Sequence, residues 1–260
     1  MLKNELIISG LQYNIAWENS EENIRFIERS IKALALKPDL IVLPETFSSG
    51  FTNNTDAVAE SMDDYSINAL KKLAKETQMA ICGTLMIRYH HKVYNRFVFI
   101  HTGGQVEFYD KRHLFSLGGE NKSVSSGDSR TIIKYKGWRI MPQICYDLRF
   151  PVWSRNENNY DLLINCANWP EARSNVWNIL LKARAIENQC YVFGSNRIGT
   201  DQNGISHIGE TQCINAKGEL LIKAKEESGF ITITLNLEEL HTFRKNFPVL
   251  NDRDAFSIAE

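Results

Sequence analysis

The sequence predicts an α/β fold. Short β-branched apolar runs recur along the chain and alternate with segments of helical periodicity. These runs are apolar on both sides, so each sheet face must be covered. Residues 40–43, Leu-Ile-Val-Leu between Pro38 and Pro44, form the clearest buried-strand pattern. Similar strands are expected at 80–87, 97–100, 140–145, 162–166 and 190–194. Residues 230–235 alternate with period two, as a half-exposed strand does. A helix is expected over 19–36, where Ile24, Ile27, Ile31 and Leu34 share one face. Asn19 with Glu22 makes a capping pair there, and Glu21 and Glu22 suit the positive helix start. A second helix over 66–78 carries Ile67, Leu70 and Leu73 as its stripe. A third over 174–189 is expected to bury Val176, Ile179, Leu180, Ala183 and Ile186. No Pro/Gly/Ser-rich linker or repeat divides the chain, so one domain is expected over residues 1–260.

Composition narrows the function classes. The chain has 30 Lys+Arg against 31 Asp+Glu, 43% hydrophobic and 23% charged residues, and a net charge of -1. That balance argues against a nucleic-acid partner and against an anionic membrane surface. Residues 1–10, with Lys3 and Glu5 around a short apolar run, do not read as a secretory signal. No run is apolar and long enough to span a bilayer. Cys82, Cys145, Cys166, Cys190 and Cys213 are spaced by 63, 21, 24 and 23 residues, which fits neither a disulfide framework nor a zinc site. The expectation is a cytoplasmic protein with reduced thiols.

Three segments stand out chemically. Glu45 directly follows the most apolar strand, at the strand end where α/β proteins bind ligands. By itself it reads equally well as a solvated loop carboxylate. Residues 109–115, Tyr-Asp-Lys-Arg-His-Leu-Phe, read by themselves as a charged surface turn. Cys145 closes an apolar strand just before a polar turn. A strand–turn–helix junction of that kind exposes a nucleophile, and its backbone N–H groups favour a thiolate or an oxyanion. The alternative is a buried structural thiol, the reading given to the other four cysteines. His113, His207 and His241 leave a Cys–His protease arrangement open. HExxH, Walker A and GxGxxG patterns are absent from the sequence.

Taken together, the three segments resemble the carbon–nitrogen hydrolase (nitrilase) superfamily, whose hallmark is a Glu–Lys–Cys triad in that chain order. The matching residues are Glu45 in Leu-Pro-Glu, Lys111 in Asp-Lys and Cys145 in Cys-Tyr-Asp-Leu-Arg-Phe-Pro, separated by 66 and 34 residues. The likeness extends over roughly residues 6–237 and includes 162–168, 183–188 and Tyr191-Val192. It implies a four-layer α-β-β-α sandwich and a homodimer or higher assembly. The Cys-Tyr-Asp-Leu-Arg-Phe-Pro stretch, Trp169-Pro170 and Trp177 look most like bacterial omega-amidases, which hydrolyse 2-oxoglutaramate and related 2-oxo acid monoamides. Glu120 stands where many relatives carry a second glutamate, seven residues before Gly127-Asp128. The sequence departs from the family pattern at Gly118-Gly119-Glu120 and at Gly209-Glu210-Thr211.

The resemblance implies residue roles. Cys145 is the nucleophile and Glu45 the proton shuttle. Lys111 and the Tyr146 backbone N–H hold the oxyanion, and Glu120 orients Lys111 or the water. The substrate is a small amide, water is the second reactant, and no metal or cofactor is implied. A substrate carboxylate would suit Arg149, four residues past the cysteine, through paired hydrogen bonds. The alternative for Arg149 is a structural ion pair with Asp147 or another acid. Phe47, Phe51 and Trp169 are candidate pocket walls, although aromatic residues more often pack in cores. Two other functions stay open: hydrolysis of a nitrile, carbamoyl compound or other amide, and a non-catalytic binding protein on the same fold.

Overall fold

A computed structural model describes residues 4–258. Met1 to Lys3 of the amino-terminal run, and the last two positions of the expected 1–260 domain, lie outside the described residues. Two six-stranded sheets form the centre. The first contains β1 (Glu5–Gln12), β2 (Leu40–Val42), β3 (Ala80–Tyr89), β4 (Lys92–Ile100), β5 (Val106–Asp110) and β14 (Gly229–Asn236). The second contains β6 (Ile133–Tyr135), β7 (Trp138–Ile144), β8 (Leu162–Ala167), β9 (Tyr191–Asn196), β12 (Gln212–Ile214) and β13 (Leu220–Lys223). Their orders are β14-β1-β2-β3-β4-β5 and β13-β12-β9-β8-β7-β6. In each sheet three central strands run parallel and the flanking pairs are antiparallel. A separate ribbon pairs β10 (Ile198–Thr200) with β11 (Ser206–Ile208).

Side-chain alternation explains the layering. Leu40, Val42, Ala80, Cys82, Phe97 and Phe99 join a core shared with Ile140, Leu162 and Ile164 of the other sheet. Their strand neighbours Ile41, Ile81, Val98 and Ile100 point the other way. There they meet Ile24, Ile27 and Ile31 of α1 (Ser20–Lys32) and Ile67, Leu70 and Leu73 of α3 (Tyr65–Thr77). On the far side of the second sheet lies α5 (Ser174–Asn188). Gly194 of β9 lets it approach, since a Cβ there would sit 2.6 Å from both Trp177 and Leu181. The result is an α-β-β-α sandwich, completed by α2 (Thr55–Val58), α4 (Pro151–Ser154) and α6 (Leu237–Asn246).

Two helix expectations need correction. The first helix stops at Lys32 rather than 36, where the chain turns to hydrogen-bond Asp39 N to the Ile7 carbonyl at 2.8 Å. Its start matches the expected cap, with Asn19 accepting from Glu22 N at 3.1 Å. In α5 part of the expected stripe turns away from the core: Val176 and Leu180 pack against it, but Ile179 and Ile186 are 56% and 49% exposed. The buried face is Trp177, Leu181, Arg184, Ala185 and Asn188. Periodicity misled because α5 is apolar on two faces, and its buried polar residues have partners. Arg184 donates to the Leu148 carbonyl at 2.6 Å, and the Asn188 oxygen accepts from Asn156 N at 2.8 Å.

Candidate active site

The ends of four strands from both sheets, β2, β5, β7 and β8, meet at one site, and each is followed by a residue that lines it. Glu45 follows β2, and the next residue, Thr46, has φ +45°. This turn aims the Glu45 side chain back into the protein, where it is fully buried. Asn168 follows β8 and ties the two sheets together. Its backbone N–H donates to Glu45 Oε2 at 2.9 Å and its amide to the Glu45 carbonyl at 2.5 Å.

Lys111 follows β5, and its backbone is clamped on both sides. Its N–H donates to the Asn95 carbonyl at 3.0 Å, and its carbonyl accepts from Gly127 N at 2.8 Å. Glycine is required there because a Cβ would lie 2.3 Å from the Asp110 carbonyl oxygen. The Lys111 ammonium is fully buried between two carboxylates. It donates to Glu45 Oε1 at 2.8 Å and to both Glu120 oxygens at 3.0 Å. Asn95 Nδ2 bridges the same carboxylates at 2.9 and 3.1 Å. Phe115 N–H also donates to Glu120, at 2.6 Å. Burial disfavours the Lys111 charge, but Glu120 and Glu45 outweigh burial and hold its pKa above the ordinary lysine value.

Cys145 follows β7 and opens a 3₁₀ turn, Cys145–Arg149, that runs into α4. Its φ is +43°, a left-handed conformation costing a non-glycine residue roughly 1–3 kcal/mol. Asp147 holds this turn to the lysine-bearing strand. It accepts from Ile144 N at 3.1 Å, the Tyr109 hydroxyl at 2.8 Å and His113 N at 2.9 Å. Tyr146 N–H lies at the opening of the turn, where N–H groups have no partner within it. Burial pushes the Cys145 thiol pKa well up. Glu45 raises it further by charge and by accepting its hydrogen bond, while Lys111 opposes them. These effects together favour the protonated thiol over the thiolate. A preformed thiolate would add a second net negative charge to a buried site holding two carboxylates and one ammonium.

Glu45, Lys111 and Cys145 line one cavity of about 440 Å³, together with Tyr146, Arg149 and Trp169. Cys145 is partly exposed to it. Glu120 is buried behind Lys111 and is not part of the wall. Phe51 lines the cavity, its ring centre 5.4 Å from Lys111 Nζ. Phe47 does not, which corrects the expectation of a pocket wall. It is fully buried in the α1/α3 core, packed on Gly83, and its carbonyl accepts from the Tyr13 hydroxyl at 2.6 Å. The structural alternative for Arg149 also fails. Asp147 pairs with His113 Nδ1 at 2.8 Å, and Arg149 forms no ion pair among the described residues. Its guanidinium lies 5.1 Å from the Trp169 ring centre.

Among the described residues no histidine hydrogen-bonds the cysteine. His113 is engaged by Asp147 and stacked on Phe150, and His241 lies 3.7 Å from Asp161. His207 lines the cavity, but its Nδ1 is engaged with the Gly199 carbonyl at 3.3 Å, and burial and then Arg197 lower its pKa. The other four cysteines are buried thiols pushed up by burial. Glu210 of the divergent Gly209-Glu210-Thr211 stretch accepts from Ser174 and Asn178 of α5 and pairs with Lys223, so it braces the helix start. Sequence reasoning missed Asn95, Asn168 and Arg173. Asn168 had a usable signal, a polar residue directly after an apolar strand. Asn95 gave none, since its role depends on the pairing of β4 with its neighbours.

The arrangement brings a cysteine, a carboxylate and an ammonium to one cavity of a two-sheet sandwich. The carbon–nitrogen hydrolase family model matches residues 8–245. The chain is 41% identical over 254 residues to the protein named omega-amidase YafV of Escherichia coli K12, covering 97% of this chain and 98% of that one. It is 33% identical over 250 residues to the 2-oxoglutaramate amidase of Bacillus subtilis, covering 94% and 96%. The crystal structure of XC1258 from Xanthomonas campestris, a CN-hydrolase superfamily protein with an arsenic adduct in its active site, superposes with a TM-score of 0.95 at 38% identity, covering 98% and 99%. The chain therefore belongs to the carbon–nitrogen hydrolase family and is a hydrolase of carbon–nitrogen bonds.

Proposed function

We propose that this enzyme is an omega-amidase, hydrolysing the terminal amide of 2-oxo dicarboxylic acid monoamides such as 2-oxoglutaramate. The observation that carries this reading is the shared cavity: Cys145, Glu45 and Lys111 on one side, and the unpaired Arg149 guanidinium in the same wall. The names of the 41% and 33% identical relatives support it.

In this reading Cys145 Sγ attacks the amide carbon as its proton passes to Glu45. Lys111 Nζ and Tyr146 N–H hold the oxyanion, each such donor lowering the barrier by on the order of 3–4 kcal/mol. The carbon–nitrogen bond breaks as Glu45 protonates the departing ammonia, leaving a thioester. Water then attacks the thioester, gives its proton to Glu45, and the proton returns to Sγ as the acid leaves. Acid–base help of this kind is worth about 10²–10⁴-fold. Glu120 is a positioning residue, because its contacts with Lys111, Asn95 and Phe115 leave it turned away from the cavity. Arg149 grips the substrate carboxylate, with Trp169 and Phe51 as walls. The reduced cysteines fit a cytoplasmic setting. The exposed Ile179 and Ile186 of α5 fit the contact face of a homodimer.

The test is ammonia release from 2-oxoglutaramate, glutamine, simple short amides and nitriles. The reading predicts preference for the oxo-amide, abolished in Cys145→Ala. Turnover of nitriles alone would overturn the substrate. No turnover of any compound, with Cys145 inert to thiol reagents, would overturn the enzyme assignment.

A further inference from the structure

Arg149 is not the only unpaired guanidinium in the cavity. Arg173, in the 3₁₀ turn Glu171–Arg173 just before α5, lines it as well. Like Arg149, it makes no ion pair among the described residues. Both lie over aromatic rings of the wall, Arg149 5.1 Å from Trp169 and Arg173 5.5 Å from Phe115. One ring is tied to the catalytic frame and the other to the turn that carries Arg173. Phe115 N–H donates to Glu120 at 2.6 Å, and Trp169 Nε1 donates to the Arg173 carbonyl at 2.8 Å. The wall has two acids, Glu45 and Asp201. Glu45 is bound to Lys111, and Asp201 Oδ1 accepts from Asn203 N and Ile205 N at 2.8 and 3.0 Å. Two arginines thus face a cavity containing too little anionic charge to balance them.

We propose that Arg173 and Arg149 together form a two-guanidinium subsite for a 2-oxo carboxylate. This deepens the omega-amidase reading and rests on it. One guanidinium takes the carboxylate through paired hydrogen bonds. The other donates to the adjacent 2-oxo oxygen, which accepts hydrogen bonds. An amino acid amide carries an ammonium at that carbon, which has no acceptor to offer and is repelled by a second cation. Arg173 is therefore a specificity residue that separates oxo-amides from amino acid amides such as glutamine.

The experiment compares wild type with Arg173→Gln and Arg173→Lys on 2-oxoglutaramate, on a neutral short amide and on glutamine. The expected result for Arg173→Gln is a rise in KM for the oxo-amide. Its kcat/KM should fall at least tenfold further for that substrate than for the neutral amide. Discrimination against glutamine should shrink, and Arg173→Lys should recover only part of the loss. Equal losses on charged and neutral substrates, or no change in KM, would overturn the subsite. A second readout needs no knowledge of the substrate: alkylation of Cys145 by anionic iodoacetate and by neutral iodoacetamide. The rate ratio should favour iodoacetate in wild type relative to a free thiol and fall severalfold in Arg173→Gln. An unchanged ratio overturns the anion subsite. An arginine-dependent ratio without oxo-amide turnover leaves the subsite standing and overturns only the omega-amidase reading.

Discussion

Lys111→Met is the most informative perturbation of the buried centre. It leaves a side chain of similar length but removes the one cation held at 2.8 and 3.0 Å from two buried carboxylates. Both carboxylates keep only neutral donors: Asn95 Nδ2 at 2.9 and 3.1 Å, Asn168 N–H on Glu45 at 2.9 Å and Phe115 N–H on Glu120 at 2.6 Å. Breaking a buried ion pair on one side costs about 3–5 kcal/mol. For a chain of this size that corresponds to a Tm fall of roughly 6–20 °C. The loss depends on pH. Two like charges this close do not both stay ionised, so one carboxylate of the folded variant takes up a proton. A group whose pKa is raised on folding supports stability below its unfolded pKa and loses that support as pH rises through the folded value. The variant's deficit is therefore smallest near about pH 5 and grows toward about pH 8. Thermal melts of wild type and variant at both ends measure it. Removing one of the two charges, in Lys111→Met with Glu120→Gln, should restore much of the loss at high pH. A pH-independent deficit, or one larger in acid, would refute the reasoning. So would a double variant no better than the single one.

Other predictions follow from the same geometry. The difference in thiolate absorbance at 240 nm between wild type and Cys145→Ala should stay small through neutral pH, since the thiol is held well above its ordinary range; a rise centred near pH 6–7 would contradict a protonated resting state. Asn168→Ala removes the amide donor to the Glu45 carbonyl and should cost about 1–3 kcal/mol of stability, read by urea unfolding, together with a fall in kcat larger than any change in KM. Gly127→Ala places a methyl 2.3 Å from the Asp110 carbonyl. Overpacking of that kind costs about 1–3 kcal/mol, and because it displaces the segment carrying Lys111, kcat should fall along with Tm.

Much of the fold was legible because the apolar runs alternate cleanly between two cores. Residues 40–43 and 80–87 read as strands buried on both sides, and Ile41 and Val42 do face opposite layers. That one covering layer is a second sheet was not legible, because Val42 meeting a strand and Val42 meeting a helix look alike in sequence. Short strands such as β5, β6 and β10–β13 carry too few residues to show a period. The α5 stripe was misassigned at Ile179 and Ile186, which look like core residues, whereas the buried Arg184 and Asn188 are paired across the fold. At the site, Glu45 and Cys145 carried local signals as polar residues ending apolar strands. Lys111 and Glu120 became legible only through family resemblance: they pair with each other nine residues apart in what reads as a polar loop, and their other partners, Glu45 and Asn95, lie 66 and 25 residues away. Arg173 gave no signal: an arginine in a polar turn looks solvated until the cavity wall is assembled around it.

The central claim is that Cys145 carries the acyl group between amide and acid. Intact-mass measurement of the wild-type enzyme, acid-quenched within the first turnovers on 2-oxoglutaramate, tests it directly. The account predicts a covalent adduct equal in mass to the substrate less ammonia, mapped to the peptide containing Cys145 and absent when Cys145→Ala is added. An adduct on another cysteine, or turnover by the enzyme with no adduct formed under any quench, would contradict it.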